Sequence, residues 1–439
     1  MLALGPEWLT IILFGSLVVL LMAGLPLVFA IGGVATLFII LLWGPHALPI
    51  LANRTYMAMD MFLLVAVPMF IFMGAMLQRC GIAEDMYELM YHWLGGLRGG
   101  LAAGTVMICT MFAAMVGISG AATTSMGLIA LPSMLKRGYK KELAIGCISA
   151  GGSLGILIPP SVLMIILALT SRVSIGQMFI AGILPGLLLS LLFIMYILIR
   201  SYIQKDLAPA VPMEARLPRR ERIRLLLALV LPISLIFAVM GSMFFGIATP
   251  SEASAVGGLG AILSAAIKRT LNRESFSSAL FITLRLSAMV LWIVFAASVF
   301  TSLYAVTGAA SLVSTLIKDV GDPWMVIVVM MLILFVLGMF FDPTGIVLLT
   351  APIFFPIVIS LGFDPLWFAI IFVINMELAY LTPPFGFNLF YMKAVTPPGI
   401  TMLDIYKSQT PFVLLMILGL ILCMVFPQII LWLPSMMVT

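Results

Sequence analysis

Two groups of small polar residues carry nearly all the chemistry this chain offers. The first runs Gly117-Ile118-Ser119-Gly120-Ala121-Ala122-Thr123-Thr124-Ser125, followed by Ser149, Gly151, Gly152, Ser153, Gly155 and then Pro159-Pro160-Ser161. The second holds Phe341-Asp342-Pro343-Thr344-Gly345, then Glu377, then Leu381-Thr382-Pro383-Pro384 with Gly386 and Asn388. Hydroxyls and free carbonyls at the end of a helix coordinate a cation such as Na+, while free amides at a helix start favour a carboxylate. Pro160 and Pro384 suit the first position of an outgoing half-helix, where a missing N–H costs nothing. Asp342 and Glu377 are the acids well inside the second group, and an acid at membrane depth points to function. The plainer alternatives are a turn residue before Pro343, a paired or protonated Glu377, and glycines and serines that simply let helices approach.

Other chemistries are poorly served. The four cysteines, Cys80, Cys109, Cys147 and Cys423, are scattered, and His46 and His92 are too few and too distant for a metal centre. No GxxxxGK[ST] phosphate loop occurs, so ATP would have to come from a partner. Asp342 and Glu377 would have to converge to act as an intramembrane hydrolase, yet 35 residues separate them (377 − 342). A net charge of +5 does not imply nucleic acid, because the basic residues cluster in short loops between apolar runs.

The elements that position the two groups must lie in lipid. Apolar residues make up 63% of the chain and charged residues 9%, against roughly 25% charged in a soluble domain. At about 20 residues per span, the apolar runs allow around ten to thirteen membrane segments. The N-terminus lacks a basic region and a cleavage site, so it reads as the first membrane helix rather than a signal peptide. Helices are predicted over 8–23, 25–43 and 60–78, an amphipathic stretch over Ile82–Trp93, and a long helix over 176–200. Beyond a basic, Pro-containing stretch come 225–247, 250–267, 278–305, a weakly amphipathic 308–318, and a last helix at 410–434. Thr249-Pro250-Ser251-Glu252 reads as a capping box. Four apolar runs are interrupted in their middles: 100–135, 141–170, 323–360 and 365–395.

The interruptions repeat. Pro159 and Pro383, Pro132 and Pro356, and Ser119 and Pro343 are each 224 residues apart by subtraction, with Gly81/Gly308 at 227 and Pro185/Pro411 at 226. A duplicated unit follows. If 100–135 and 323–360 are re-entrant hairpins, each half crosses the membrane an odd number of times and the second is inverted. With residue 1 outside, 19 of the 22 Lys and Arg then fall inside, leaving Arg54, Arg172 and Lys318 outside; that bias is the one cytoplasmic loops show. Inverted repeats with discontinuous helices at the midplane are a secondary-transporter design. A passive channel fits poorly, since symmetric broken helices favour an occluded site.

These motifs resemble a family. Gly117–Thr124, Leu135-Lys136-Arg137-Gly138-Tyr139, Ala150 through Gly155 to Ile158-Pro159-Pro160-Ser161, and Ala248-Thr249-Pro250-Ser251-Glu252-Ala253 look like the large membrane subunit of tripartite ATP-independent periplasmic (TRAP) transporters. Asp342–Gly345 and Leu381-Thr382-Pro383-Pro384-Phe385-Gly386 agree, Ser251 standing where the family often has Thr. The resemblance implies an elevator transporter of the ion-transporter superfamily in the bacterial inner membrane, driven by a Na+ gradient. It also implies a small four-helix membrane subunit, here unfused, and a soluble periplasmic substrate-binding protein. A stand-alone carboxylate transporter of the same superfold is the alternative.

The expectation is therefore an all-α polytopic membrane protein of two inverted repeats, each with a re-entrant hairpin and a Pro-broken helix. The first repeat takes 1–200, a cytoplasmic linker 201–224 and the second repeat 225–439. Na+, with no organic cofactor, is expected on Ser119, Gly120, Gly152, Ser153, Gly155, Asp342, Thr344, Gly345 and Thr382, partly through backbone carbonyls. A small organic anion is expected on Ser119, Gly120, Thr123, Thr124, Pro160, Thr344, Pro384 and Asn388. In intact spheroplasts, a membrane-impermeant thiol reagent should label a cysteine placed at Gly44 and spare one at Ala215; the reverse pattern would overturn the topology.

Overall fold

A computed structural model describes residues 5–211, 218–308 and 321–437. Among these residues the chain is helical throughout, with no strand. The first half comprises α1 (Pro6–Met22), α2 (Leu27–Trp43), α3 (Pro49–Met59), α4 (Ala66–Gln78), α5 (Ile82–Leu94), α6 (Gly100–Val116), α7 (Ser119–Lys136), α8 (Lys141–Ser153), α9 (Val162–Ser171) and α10 (Ile175–Ile203). The second comprises α11 (Arg219–Leu225), α12 (Val230–Ile236), α13 (Ser242–Phe244), α14 (Pro250–Ile267) and α15 (Arg273–Val306). It continues with α16 (Pro323–Gly338), α17 (Pro343–Ser360), α18 (Pro365–Tyr380), α19 (Phe387–Val395) and α20 (Met402–Val425).

Local sequence sets the helix starts. Proline occupies the first turn of α1, α14, α16, α17 and α18, where its fixed φ suits the helix. Asp322, Asp342 and Asp364 cap the last three through backbone amides. The capping box at α14 is present: the Glu252 amide donates to Thr249 Oγ1 at 3.3 Å, and the Thr249 amide to Glu252 Oε2 at 2.8 Å.

Among the described residues five helices are long and apolar enough to cross a membrane: Ile175–Ile203, Glu221–Phe244, Arg273–Val306, Pro343–Ser360 and Met402–Val425. A sixth span arises if Pro45–Met59 and Phe62–Gln78, bent by 66°, count together. The protein is thus a multi-pass membrane protein, with fewer full-length spans than the apolar runs suggested. The difference lies in the breaks, which divide apolar runs into shorter helices such as Gly100–Val116, Val162–Ser171 and Pro323–Gly338. Each broken run divides where glycine, proline and short polar residues cluster.

Several expectations shift. A helix, α3, fills 49–59, where Asn53, Arg54 and Thr55 had hidden the apolar face. The 225–247 run contains a π-turn at Phe237–Gly241. The last long helix starts at Met402 behind a Thr401 cap, absorbing Pro411 in its interior. The 201–224 linker is not a loose tether. Its first part pairs main chain with the hairpin base, Val211 N to Gly95 O at 2.7 Å, Lys140 N to Leu207 O at 3.0 Å and Gly99 N to Ala208 O at 3.1 Å. Leu207, Ala208 and Val211 are buried there. Arg216, Lys318, Ala215 and the 308–318 stretch beyond Gly308 lie outside the described residues.

One extended apolar core runs through α4–α10 and α12–α20. Helix α14 packs on α4, and α15 on α2 and α4, while α1, α2 and α15 share a separate apolar cluster around Leu13, Ile31 and Phe300. The arms α6 and α7 pack on each other and on α8, and α19 crosses over to α7.

Candidate functional site

The turn between α6 and α7 explains why the first tip has its composition. Gly117 adopts φ +67°, and any Cβ there would strike the Pro160 carbonyl oxygen, so only glycine joins the tip to the neighbouring break. Gly155 sits so close that an added Cβ would lie 3.0 Å from Ser119 Cα, and one at Gly152 would strike the Thr123 hydroxyl. The glycines of the broken helix thus bring its backbone against the tip, as the sequence reading anticipated for Gly152 and Gly155.

Asn388, from the opposite half of the chain, closes this cluster. Its Oδ1 accepts from Thr123 Oγ1 at 2.7 Å and from Ser119 Oγ at 3.2 Å, and its Nδ2 donates to the Ser149 carbonyl at 2.7 Å. Ser119, Thr123, Ser149 and Asn388 are all buried. One turn further on α19, Tyr391 lies over Gly120, whose Cβ would fall 2.7 Å from the ring. Tyr391 was not singled out from the sequence, although its i+3 spacing from Asn388 places it on the same face. Below the tip, Ser153 Oγ lies 2.9 Å from Glu377 Oε1 and 2.8 Å from the Ala150 carbonyl.

The remaining site residues sit apart from this network. Asp342 caps α17, its Oδ2 accepting from the Thr344 amide at 2.9 Å. Gly345 packs under Leu27, 2.5 Å from where its Cβ would be. Thr382 and Thr124 donate back along their own helices, to Leu378 O at 2.8 Å and Gly120 O at 2.7 Å. Among the described residues, no hydrogen bond joins Asp342, Thr344, Gly345 or Thr382 to the first cluster; aromatic contact between Phe340 and Phe385, with centroids 6.1 Å apart, ties the second tip to the second break. Pro160 and Pro384 do not open half-helices. Helix α9 begins at Val162 with Ser161 as its cap, and α19 at Phe387 after Gly386. Proline at each break instead ends the approach, because the residue before proline is pushed out of the helical region; both Pro-Pro bonds are cis.

A cavity of about 920 Å³ is walled by α3, α15, α9 and α17, with Arg54, Arg172, Ser298, Ser302 and Phe355 in its lining.

Residues of broken runs from both halves thus meet at a buried polar cluster inside a multi-pass bundle. Two solved transporters share the fold: the Alcanivorax borkumensis YdaH transporter, at TM-score 0.60 and 13% identity over 88% of this chain and 89% of that one, and Neisseria gonorrhoeae MtrF, described as illuminating a class of antimetabolite efflux pumps, at TM-score 0.60 and 14% identity over 87% and 84%. The sequence relatives are more specific. A C4-dicarboxylate TRAP transporter large permease protein DctM from Pseudomonas aeruginosa is 33% identical over 92% of this chain and 93% of its own length. A sialic acid TRAP transporter large permease protein SiaM from Vibrio cholerae is 29% identical over 95% and 96%. An isethionate permease protein DctMQ from Oleidesulfovibrio alaskensis is 30% identical over 95% of this chain and 65% of its own length. Residues 14–429 match the family profile described as "Tripartite ATP-independent periplasmic transporter, DctM component", and the chain belongs to that family. It is a transport permease, not an enzyme, which removes the hydrolase alternative.

Replacing Asn388 with leucine should cost about 1–3 kcal/mol, because it strands the Ser149 carbonyl and two hydroxyls in a dry interior. Gly120→Ala should cost less, since only the Tyr391 ring must move. Thermal unfolding of the purified variants checks the order.

Proposed function

We propose that the chain is the translocating subunit of a secondary importer for a small organic anion, coupled to Na+ and working in the bacterial inner membrane. The observation that supports this most directly is the closure of the first tip by Asn388, since it joins the two interrupted elements of opposite halves around one polar site. Na+ is assigned to Ser119, Gly120, Gly152, Ser153 and Gly155 at one tip and to Asp342, Thr344, Gly345 and Thr382 at the other. The anion lies between, against Ser119, Gly120, Thr123, Thr124, Thr344 and Asn388, with the chain at Pro160 and Pro384 bordering it. Relatives named for C4-dicarboxylates, isethionate and sialic acid support an organic anion as the cargo class.

The inverted-repeat arrangement has support from one contact. Ser153 and Glu377 are 224 residues apart, the offset separating the two Pro-Pro pairs, and they touch. Residues related by a two-fold operation meet only on its axis. The cavity bounded by α3, α9, α15 and α17 supports an elevator movement, because helices that slide past one another need room between them. A small four-helix membrane subunit and a periplasmic binding protein complete the transporter; the fused name DctMQ of one relative supports a membrane partner close at hand.

Uptake by proteoliposomes carrying the complete transporter should follow an imposed Na+ gradient; uptake driven equally by a pH gradient without Na+ would defeat the reading. Asp342→Asn offers a cleaner probe. Asparagine caps a helix about as well as aspartate, so stability without Na+ should change little. The rise of the unfolding midpoint with NaCl over choline chloride should shrink, since bound ligand stabilises by mass action.

A further inference from the structure

Glu377 lies on α18, buried from Leu366 to Tyr380, and is itself 0% exposed. One carboxyl oxygen meets Ser153; the other, Oε2, has no hydrogen-bond partner among the described residues. The ion pairs found among these residues, Lys141–Asp404 and Lys268–Asp85, lie elsewhere, so no basic side chain balances it. Ser153 offers little help, because its single proton is shared with the Ala150 carbonyl. A second buried oxygen is left over one helical turn away on α8. Ser149 precedes Ser153 by one turn on the same face of α8; its carbonyl is taken by Asn388, but its hydroxyl, at 0% exposure, has no partner. Buried polar atoms are nearly always satisfied. Two orphans, a hydroxyl on α8 and a carboxyl oxygen of the residue that meets α8 one turn further on, mark a place for something positive.

We propose that Glu377 is the countercharge for a monovalent cation bound at the first tip, with Ser149 Oγ as a further oxygen ligand. This rests on the Na+-coupled reading above and supplies what that reading lacks. The first tip brings hydroxyls and carbonyls but no acid of its own, and an unbalanced cation in a dry interior is costly. The second half lends the charge: Asp342 serves its own tip, and Glu377 reaches across to Ser153.

The test uses the purified full chain, with NaCl exchanged for choline chloride at constant ionic strength and the unfolding midpoint as readout. Glu377→Gln keeps the shape and an acceptor for Ser153, and should raise the half-saturating Na+ concentration roughly tenfold or more. Ser149→Ala removes a hydroxyl that makes no hydrogen bond, so a packing role predicts no loss of stability and no change in Na+ response. As a ligand it should weaken Na+ several-fold while leaving Na+-free stability intact. If wild type responds to Na+ and both variants respond identically to it, the assignment falls and the functional reading stands. If wild type shows no Na+ response, the functional reading falls and this assignment with it. Should Glu377→Gln fail to fold, a wild-type Na+ response in Ser149→Ala overturns the proposal by itself.

Discussion

Every backbone amide and carbonyl at membrane depth must find a partner within the protein. That constraint governs the four interruptions on which the site is built. The break after α8 meets it with side chains and tight turns: Ser161 Oγ donates to the Ile156 carbonyl at 2.7 Å, and the Ile158 amide reaches Leu154 O at 2.8 Å. The break after α18 borrows from farther away, with Tyr406 donating to the Pro384 carbonyl at 2.9 Å. Asn388 does the same for Ser149, so a residue facing the site also keeps the neighbouring main chain satisfied. The upkeep of the break and the closure of the tip fall on the same side chain.

Close approach is the second requirement, and glycine meets it. Gly117, Gly152 and Gly155 hold the first tip against the first break with no side chain between. The second tip is assembled differently: Asp342 caps its own helix, Gly345 packs against Leu27 of α2, and phenylalanine rings fill the gap to the second break. The two tips are therefore similar in outline and different in chemistry, one built from hydroxyls and bare backbone, the other from a carboxylate and aromatic rings.

Much of this was legible in the sequence because lipid makes interruptions conspicuous. Helix breaks at Gly117, Phe341–Asp342, Pro159-Pro160 and Pro383-Pro384 stand out against unbroken apolar runs, and the Thr249–Glu252 box announces its own cap. Partners across the bundle were not legible. Nothing local tells that Asn388 closes on Ser119 and Thr123, since those contacts span 269 and 265 residues. Helix α3 was missed because Asn53, Arg54 and Thr55 interrupt its hydropathy, and Tyr391 because an aromatic among Phe385, Phe387 and Phe390 looks like filler. Proline misled in one respect. It marks the breaks correctly, but Pro160 stands two residues and Pro384 three residues ahead of where the new helix begins, because Ser161 and Gly386 take the caps.

The segment after α10 bears on where the chain can be cut. Leu207, Ala208 and Val211 are tucked beneath the α6–α7 pair, and their main chain is stitched to Lys140, Gly99 and Gly95 respectively. That stretch belongs to the base of the α6–α7 pair as much as to the path leading away from α10. A chain severed near Arg200 would leave the pair without its floor, whereas one severed after Val211 would keep it.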